Sequence, residues 1–362
     1  MGHNRLCAAL AAPHWDHYVA YSLSAEGKAS KALPANIVED LEEIVRLSPD
    51  DARAHVRLAG EYLRRFDQEQ KNSENVMALS QIRDAAISSH FASRAELDAW
   101  LTRAIGDTRH YLDSALWHTR RGLALCPLQG EGYIYLAELC FLQGASPQVK
   151  PAYVAQALKV RPYNGKVLFA AGNEAALAGD LQKAVTYWKQ SFKSGPEEQV
   201  ELINLLASNR VPAAFLLQNF EPDLPALLLM QAKYVELRQP AELQQVLGYL
   251  VRTAEKELAQ ADEDKAVYLC LELQQAYRSL NNPAGALEYA RRAAAIRPND
   301  YDVRFALGVC LTEQRYFEEA ETHLDWCAQR RPDDPQLKAV LAGAVRARVE
   351  EQSRRVDRNR TR

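Results

Sequence analysis

A proline recurs at a nearly constant spacing along this chain, and this recurrence constrains the fold more than any other sequence feature. Pro127, Pro162 and Pro196 follow helical patterns at intervals of 35 and 34 residues, and Pro298 and Pro332 do so 34 residues apart. Because the ring of proline cannot continue a helix, each of these residues is expected to follow a helix end. A period near 34 is typical of a repeating helix-turn-helix unit. The chain is therefore predicted to be all-α, with antiparallel helix pairs stacked into a solenoid.

The segment from Tyr301 to Pro332 shows the repeating unit most completely. Gly308 and Ala320 are small, which lets two helices approach closely. Larger side chains at helical spacing are expected to fill the seam between the helices; these are Leu307, Leu311, Leu324 and Cys327. Residues 127–196 and 265–298 repeat this pattern less completely, and Gln274 stands where a small residue is usual, which predicts a looser helix contact there.

These positions resemble the signature of the tetratricopeptide repeat (TPR) family. The resemblance covers roughly 180 residues, and the remainder of the chain follows it only by helical continuation, as is usual for the end units of solenoids. It implies a TPR-type right-handed helical solenoid whose first helices line a concave, partner-binding face. A protein or peptide ligand in that groove is the partner that the resemblance implies.

A second resemblance concerns two shorter stretches, Asn72–Ala86 and Leu125–Phe141. They look like segments of the repeat-bearing soluble tails of some bacterial O-antigen ligase-like membrane proteins. This resemblance implies an accessory part of a polysaccharide ligase system, associated with membrane-embedded proteins of the cell envelope. The transferase activity is not implied, because the chain lacks the apolar spans that such a ligase needs.

The pattern predicts five regions along the chain. Phe66 to Arg94 looks like a polar loop followed by a helix near Val76–Ser89, with Tyr111–Leu125 as the delayed second helix of the first unit. The regions are an irregular helical, TPR-like region with an inserted helix near 67–95 (1–126), repeats (127–196), a divergent helical region and possible hinge (197–264), repeats (265–332), and a capping helix with a basic tail (333–362).

Composition and charge argue against several other classes of protein. The formal net charge is −3, so no global positive field attracts nucleic acid. No run of residues is long and apolar enough to be a transmembrane segment, and the six cysteines include no close pair that would indicate zinc or a disulfide framework. Seven arginines between Arg346 and Arg362 are interpreted as a solvated tail. A cytoplasmic location is the default expectation, and an envelope-associated one is the alternative.

The sequence contains no recognisable catalytic constellation. It has no Gly-rich phosphate loop, no nucleophile elbow and no helical metalloprotease motif, so we expect neither enzymatic activity nor a cofactor. His14 and His17 are one helical turn apart with Asp16 between them. A complete metal site would need more ligands, so these residues are interpreted as a polar N-terminal face.

The repeat register predicts which side chains face a partner, because the first helix of each pair lines the concave face. Aromatic side chains in this set suggest packing around a peptide, although packing between repeats remains the alternative for each of them. Asn173 and Arg278 are expected to be exposed and to donate hydrogen bonds. The predicted groove residues are Tyr135, Lys166, Phe169, Asn173, Tyr268, Gln275, Arg278 and Phe305.

Overall fold

The computed structural model describes residues 2–23, 35–72, 76–144 and 148–360. Within these ranges every regular element is an α-helix or a short 3₁₀ helix, and there is no strand. The all-α prediction is therefore confirmed. The chain divides into two compact units, Met1–Leu202 and Ile203–Arg362. Across the described residues, no helix has the length and apolar character needed to cross a bilayer.

The first unit is built from helices that pack mainly on their neighbours in the chain. The exceptions are α3 (Ala52–Lys71), whose main partner is α6 (Arg109–Leu125), and α4 (Leu79–Ser88), which packs on α7 (Gly130–Leu139). The helices are α1 (Gly2–Leu23), α2 (Ala35–Leu47), α3 (Ala52–Lys71), α4 (Leu79–Ser88), α5 (Arg94–Ile105), α6 (Arg109–Leu125), α7 (Gly130–Leu139), α8 (Val149–Val160), α9 (Gly165–Leu177) and α10 (Leu181–Phe192). Helix α11 (Pro196–Ser208) begins in this unit and ends in the second.

The second unit continues the same arrangement, with each helix from α13 onward packed on the next. Its helices are α12 (Ala213–Phe220), α13 (Leu224–Glu236), α14 (Pro240–Leu258), α15 (Glu263–Ser279), α16 (Pro283–Ile296), α17 (Tyr301–Glu313), α18 (Phe317–Arg330) and α19 (Pro335–Arg360). The backbone of the predicted basic tail is helical to Arg360, but its side chains from residue 350 onward lie outside the described part of the structure.

Most of the recurring prolines lie in turns that follow a helix, as predicted. Pro127, Pro162, Pro298 and Pro332 each stand one residue beyond the C-cap region of the preceding helix, in a turn. Pro196 differs, because it is the first residue of α11. Proline is favoured at that position as well, since the first N–H groups of a helix have no partner within the helix. The proline spacing therefore marks the boundaries between helices, although Pro196 begins a helix and the other four prolines follow one.

A second kind of turn recurs inside the helix pairs and has a left-handed residue. Gly179, Arg210, Arg238, Asn281 and Arg315 have φ values of 82°, 58°, 53°, 56° and 67°. At each of these helix ends the next residue donates its N–H to a carbonyl five positions back; Tyr316 N, for example, lies 2.9 Å from Leu311 O. This is the hydrogen bond of a Schellman motif. Two of the five turns fall within residues 197–264, where the sequence repeat loses its register.

The inserted segment between α3 and α6 is part of the hydrophobic core. Phe66, Ile82 and Leu101, from α3, α4 and α5, are fully buried together with Leu112 of α6 and Leu139 of α7. The prediction of a polar loop beginning at Phe66 is wrong, because α3 continues to Lys71. The inserted helix begins at Leu79, three residues later than predicted, and a second inserted helix follows it.

Close helix contacts occur where small residues were predicted. A Cβ atom added to Gly308 would lie 2.7 Å from Leu324 Cγ, so the predicted need for a small residue there is confirmed. Gly172 has the same relation to the ring of Trp188. Gln274, where a looser contact was predicted, is buried, and its Nε2 donates to Cys310 Sγ on α17 at 3.1 Å.

Candidate partner-binding surfaces

Four helices of the first unit bring ionisable side chains to one surface. Three of them, α3, α7 and α9, are first helices of pairs, and the fourth is the start of α11. We call this surface the charged face; it consists of Arg57, Glu61, Arg64, Glu131, Tyr135, Lys166, Glu197 and Glu201.

Glu131 is the centre of the charged face. Its Oε2 lies 3.6 Å from Arg57 Nη1 and 4.0 Å from Lys166 Nζ. Tyr135 donates its hydroxyl to the same oxygen at 3.5 Å, and Asn164 Nδ2 donates to Oε1 at 3.4 Å. These distances are long for hydrogen bonds and ion pairs, so Glu131 joins several elements through weak contacts.

Two further ion pairs extend the charged face on either side of Glu131. Lys166 Nζ lies 3.9 Å from Glu197 Oε2, which connects α9 with α11. On α3, Arg64 Nη1 donates to Glu61 Oε1 at 3.3 Å. Glu61 is only 3% exposed, whereas the Arg57 and Arg64 side chains are 47% exposed. The cations therefore reach solvent while one carboxylate is buried beneath them.

Burial raises the pKa of two carboxyls of the charged face. It is the largest cause of the raised pKa at Glu61 and also at Glu201. Burial also raises the pKa of Tyr135 to about 12, and the neighbouring Tyr135 is the chief cause that raises the pKa of Lys166.

Of the four groove residues predicted in the first unit, two lie in the charged face. Tyr135 and Lys166 belong to it, whereas Phe169 and Asn173 are half-buried further along α9. Asn173 was expected to be exposed and to donate hydrogen bonds to a partner. It is half-buried instead, and its Oδ1 accepts a hydrogen bond from Trp188 Nε1 of α10 at 3.0 Å. The amide oxygen is therefore used within the helix pair, where it satisfies the indole donor.

In the second unit, three predicted residues lie along one side of α15. Tyr268 and Gln275 are exposed, and burial together with the neighbouring Glu272 raises the pKa of Tyr268. Arg278 also reaches solvent, but its Nε lies 3.0 Å from both carboxylate oxygens of Glu313 on α17. An Arg278 ligand would therefore have to compete with this ion pair.

Phe305, the fourth predicted residue of this unit, belongs to an apolar cluster. It is half-buried and stacks on Tyr301, with ring centroids 6.3 Å apart and an interplanar angle of 8°. Both rings pack against the core formed by α16 to α19. Phe305 therefore packs between repeats, which was the alternative considered for the aromatic residues.

Most residues of the charged face are not among the groove residues predicted from the sequence. Arg57, Glu61 and Arg64 lie on α3, whose unit was interpreted as irregular, and Glu197 and Glu201 lie where the repeat register ends. A usable signal was present: Arg57 with Glu61, Glu131 with Tyr135, and Glu197 with Glu201 are all four residues apart. This spacing places polar pairs on one side of successive helices.

The N-terminal histidines contact a carboxylate. His14 Nδ1 lies 2.7 Å from Asp40 Oδ1, and His17 Nδ1 contacts the other oxygen of Asp40. These contacts tie α1 to α2 and agree with the interpretation of a polar face. In the described part of the chain, no group of three or more His, Cys, Asp or Glu side chains is arranged to hold a metal ion.

Residues 277–343 match the family model described as "Tetratricopeptide repeat". This stretch includes the end of α15, all of α16 to α18 and the start of α19. The predicted resemblance to the TPR family is therefore confirmed for this part of the chain. A search of curated proteins returned no match. The second resemblance, to O-antigen ligase-like tails, is not supported by these comparisons.

Solved structures of TPR and other proteins resemble the chain at low identity. The APC/C hetero-tetramer Cut9-Hcn1 shares 14% identity at a TM-score of 0.30; the match covers 89% of this chain and 57% of that one. YrrB, a TPR protein with an unusual peptide-binding site, shares 15% identity at a TM-score of 0.30, over 64% and 97% of the two chains. Yeast Tom70 shares 14% sequence identity at a TM-score of 0.30, and the match covers 87% of this chain and 85% of that one.

Proposed function

We propose that this chain is a non-catalytic TPR scaffold that binds a protein or peptide partner through its first helices, with the charged face as the main binding surface. The TPR match at residues 277–343 supports the class of function. The observation that carries the proposal is the convergence of eight polar side chains from four helices on one surface.

The energetics of the charged face favour recognition over stability. Taking charges out of water costs free energy that ion pairs at 3.6 to 4.0 Å recover poorly. Well-packed apolar residues would hold these helices together at least as well. A group of partly buried, weakly paired charges is therefore a candidate functional surface, because a partner can supply the better-placed hydrogen bonds that the free chain lacks.

The proposal is tested by selecting peptides on the full chain from a random-peptide display library. The enriched peptides are then measured by fluorescence anisotropy against the wild type and the Arg57→Ala, Lys166→Ala double variant. We expect the double variant to bind them at least about tenfold more weakly, since one charge-assisted hydrogen bond is worth roughly 1.5–3 kcal/mol.

Arg46→Ala is the matched control. Arg46 is also an exposed arginine in the first unit, but it pairs with Glu43 on α2 and does not belong to the charged face. If every enriched peptide bound the wild type and the double variant equally, the charged face would be removed from the proposal. Circular dichroism on both variants must show unchanged helix content, so that lost binding is not lost folding.

The alternative function weighed from the sequence, an accessory part of an O-antigen or polysaccharide ligase system, has no specific observation in its favour within the described residues. It stays a prediction, as does the envelope-associated location that it implies.

A further inference from the structure

Three arginines of the second unit are stacked on two aromatic rings of α17 and α18. The guanidinium carbons of Arg304 and Arg330 lie 4.5 and 3.4 Å from the centroid of the same ring, Trp326. Arg331 lies 4.0 Å from the centroid of Tyr301. We call these five residues the arginine–aromatic cluster. None of the five is among the predicted groove residues.

None of these three guanidinium groups has a carboxylate within ion-pair distance among the described residues. Their known hydrogen bonds go to backbone carbonyls: Arg304 Nε donates to Pro298 O, and Arg330 Nη1 donates to Trp326 O at 3.3 Å. Arg291 shows the contrasting arrangement in the same unit. It also approaches a ring, that of Tyr316, but its Nη2 is paired with Glu319 Oε2 at 2.9 Å.

Stacking on a ring prepares an arginine to bind an anion. The aromatic face fixes the plane of the guanidinium, and the remaining N–H groups then form a fork that matches the two oxygens of a carboxylate. Arg330 and Arg331 are exposed, so their forks are accessible to a partner. Two cations beside one ring also repel each other, and a bound anion would relieve that repulsion.

We propose that the arginine–aromatic cluster binds an acidic segment of a partner protein. Glutamate or aspartate side chains would accept hydrogen bonds from Arg330 and Arg331, and apolar atoms of the segment would pack on the half-buried Trp326. This is a second binding surface, on residues that the charged face does not include, so it does not rest on the function proposed above.

The surroundings favour carboxylates over phosphate groups. The acids around the cluster are Asp334, which accepts a hydrogen bond from Tyr301 at 2.8 Å, and three exposed chain neighbours, Asp302, Asp325 and Asp333. Their field opposes a phosphate, which carries nearly two negative charges at neutral pH, more strongly than a carboxylate, which carries one. A segment of spaced single charges therefore fits this surface better than a phosphorylated segment does.

The test uses the full chain and labelled synthetic peptides. A peptide with three glutamates spaced by alanine and serine is compared, by fluorescence anisotropy, with the same peptide carrying glutamine and with one carrying phosphoserine. We expect the glutamate peptide to bind, the glutamine peptide to bind at least about tenfold more weakly, and added salt to weaken binding. Binding should also change the tryptophan emission, and this change should be absent in Trp326→Phe.

Two arginine variants locate the site. Arg330→Lys with Arg331→Lys keeps both charges but removes the planar forks, so we expect a loss of about tenfold in affinity. Arg291→Ala removes one charge from an arginine that is already paired, and it should bind as the wild type does. The Arg57→Ala, Lys166→Ala variant should also bind normally, which separates this inference from the proposed function.

Three outcomes would overturn the inference. The first is equal affinity for the glutamate and glutamine peptides. The second is undiminished binding by the double lysine variant. The third is tighter binding of the phosphoserine peptide, or of a single-stranded oligonucleotide, than of the glutamate peptide, because the surface would then recognise phosphate.

Discussion

At the scale of single residues, the buried His55 of α3 and the half-buried His118 of α6 join these two helices. His55 Nδ1 and His118 Nδ1 are 2.9 Å apart, and His55 Nε2 lies 3.0 Å from Pro49 O. A carbonyl only accepts, so His55 must carry its proton on Nε2, and its Nδ1 accepts from His118. His55 can accept this hydrogen bond only while its Nδ1 carries no proton, and the half-buried ring of His118 is the donor.

Acid is therefore expected to weaken the first unit through His118. Burial lowers the pKa of His118 to about 4, compared with 6.5 for an unperturbed histidine, and the neighbouring His55 is a second, smaller cause. Between these two values the unfolded chain binds more protons than the folded one, so stability should be complete above pH 6.5 and fall as the pH drops towards 4. The loss should be on the order of 1–3 kcal/mol.

Urea denaturation at several pH values checks this expectation, with His118→Gln as the comparison. Glutamine still offers an N–H donor to His55 but does not titrate. The difference in stability between the two proteins should shrink as the pH falls from 6.5 to 4. A constant difference across that window would show that His118 is not the group responsible.

Replacing Asn173 is expected to lower the free energy of unfolding of the chain, whatever its effect on partner binding. Asn173→Ala leaves the Trp188 Nε1 donor without its partner in a nearly buried position, at a cost of about 1–3 kcal/mol. Asn173→Asp keeps an acceptor oxygen and should lose much less. Thermal and chemical denaturation distinguish these results, and an unchanged midpoint for the alanine variant would contradict the hydrogen bond.

At the scale of elements, small residues decide how closely helix pairs approach. Gly308→Leu is expected to destabilise the second unit by about 1–3 kcal/mol, because its side chain would have to displace Leu324. Gly343→Leu, on α19, is the control, since a Cβ there meets nothing within 4 Å. Equal melting temperatures for the two variants would contradict the close contact of α17 with α18.

The sequence predicted the elements best where small residues and prolines mark both ends of a pair. The pairs around Gly172 and Gly308 are of this kind. Residues 203–258 contain comparable pairs, but Pro212, Pro222, Pro225 and Pro240 do not keep the spacing of 34 residues. The left-handed turns do not distinguish the two regions, because arginine occupies them at Arg210 and Arg238 as it does at Arg315. These helix ends are stabilised by backbone hydrogen bonds that a sequence pattern does not show.

The candidate site was predictable to a smaller extent than the fold. Helical register placed Tyr135 and Lys166 correctly on a first-helix face, but it could not tell that Asn173 would turn to Trp188 or that Arg278 would pair with Glu313. Those outcomes depend on the distance between neighbouring helices. Periodicity gives the direction of a side chain and does not give the identity of what it meets.

At the scale of the whole molecule, contacts between neighbouring repeats recur with the repeat spacing. Arg161 Nε donates to Leu128 O at 3.0 Å, and Tyr301 donates its hydroxyl to Asp334 Oδ2 at 2.8 Å; each pair is 33 residues apart. Arg297 pairs with Asp264 at the same separation. Each of these contacts joins one helix-pair repeat only to the next repeat. This is expected for a solenoid, whose stability is a sum of contributions from single repeats and from contacts between neighbouring repeats.

The segment inserted between α3 and α6 has a consequence for the order in which the helices fold. Helices α9 and α10 are joined by a short turn, whereas α3 ends at Lys71 and its partner begins only at Arg109. Closing the longer loop costs more chain entropy, and non-local contacts slow folding. During refolding, the amides of α3 and α6 should therefore be protected from pulsed exchange later than those of α9 and α10.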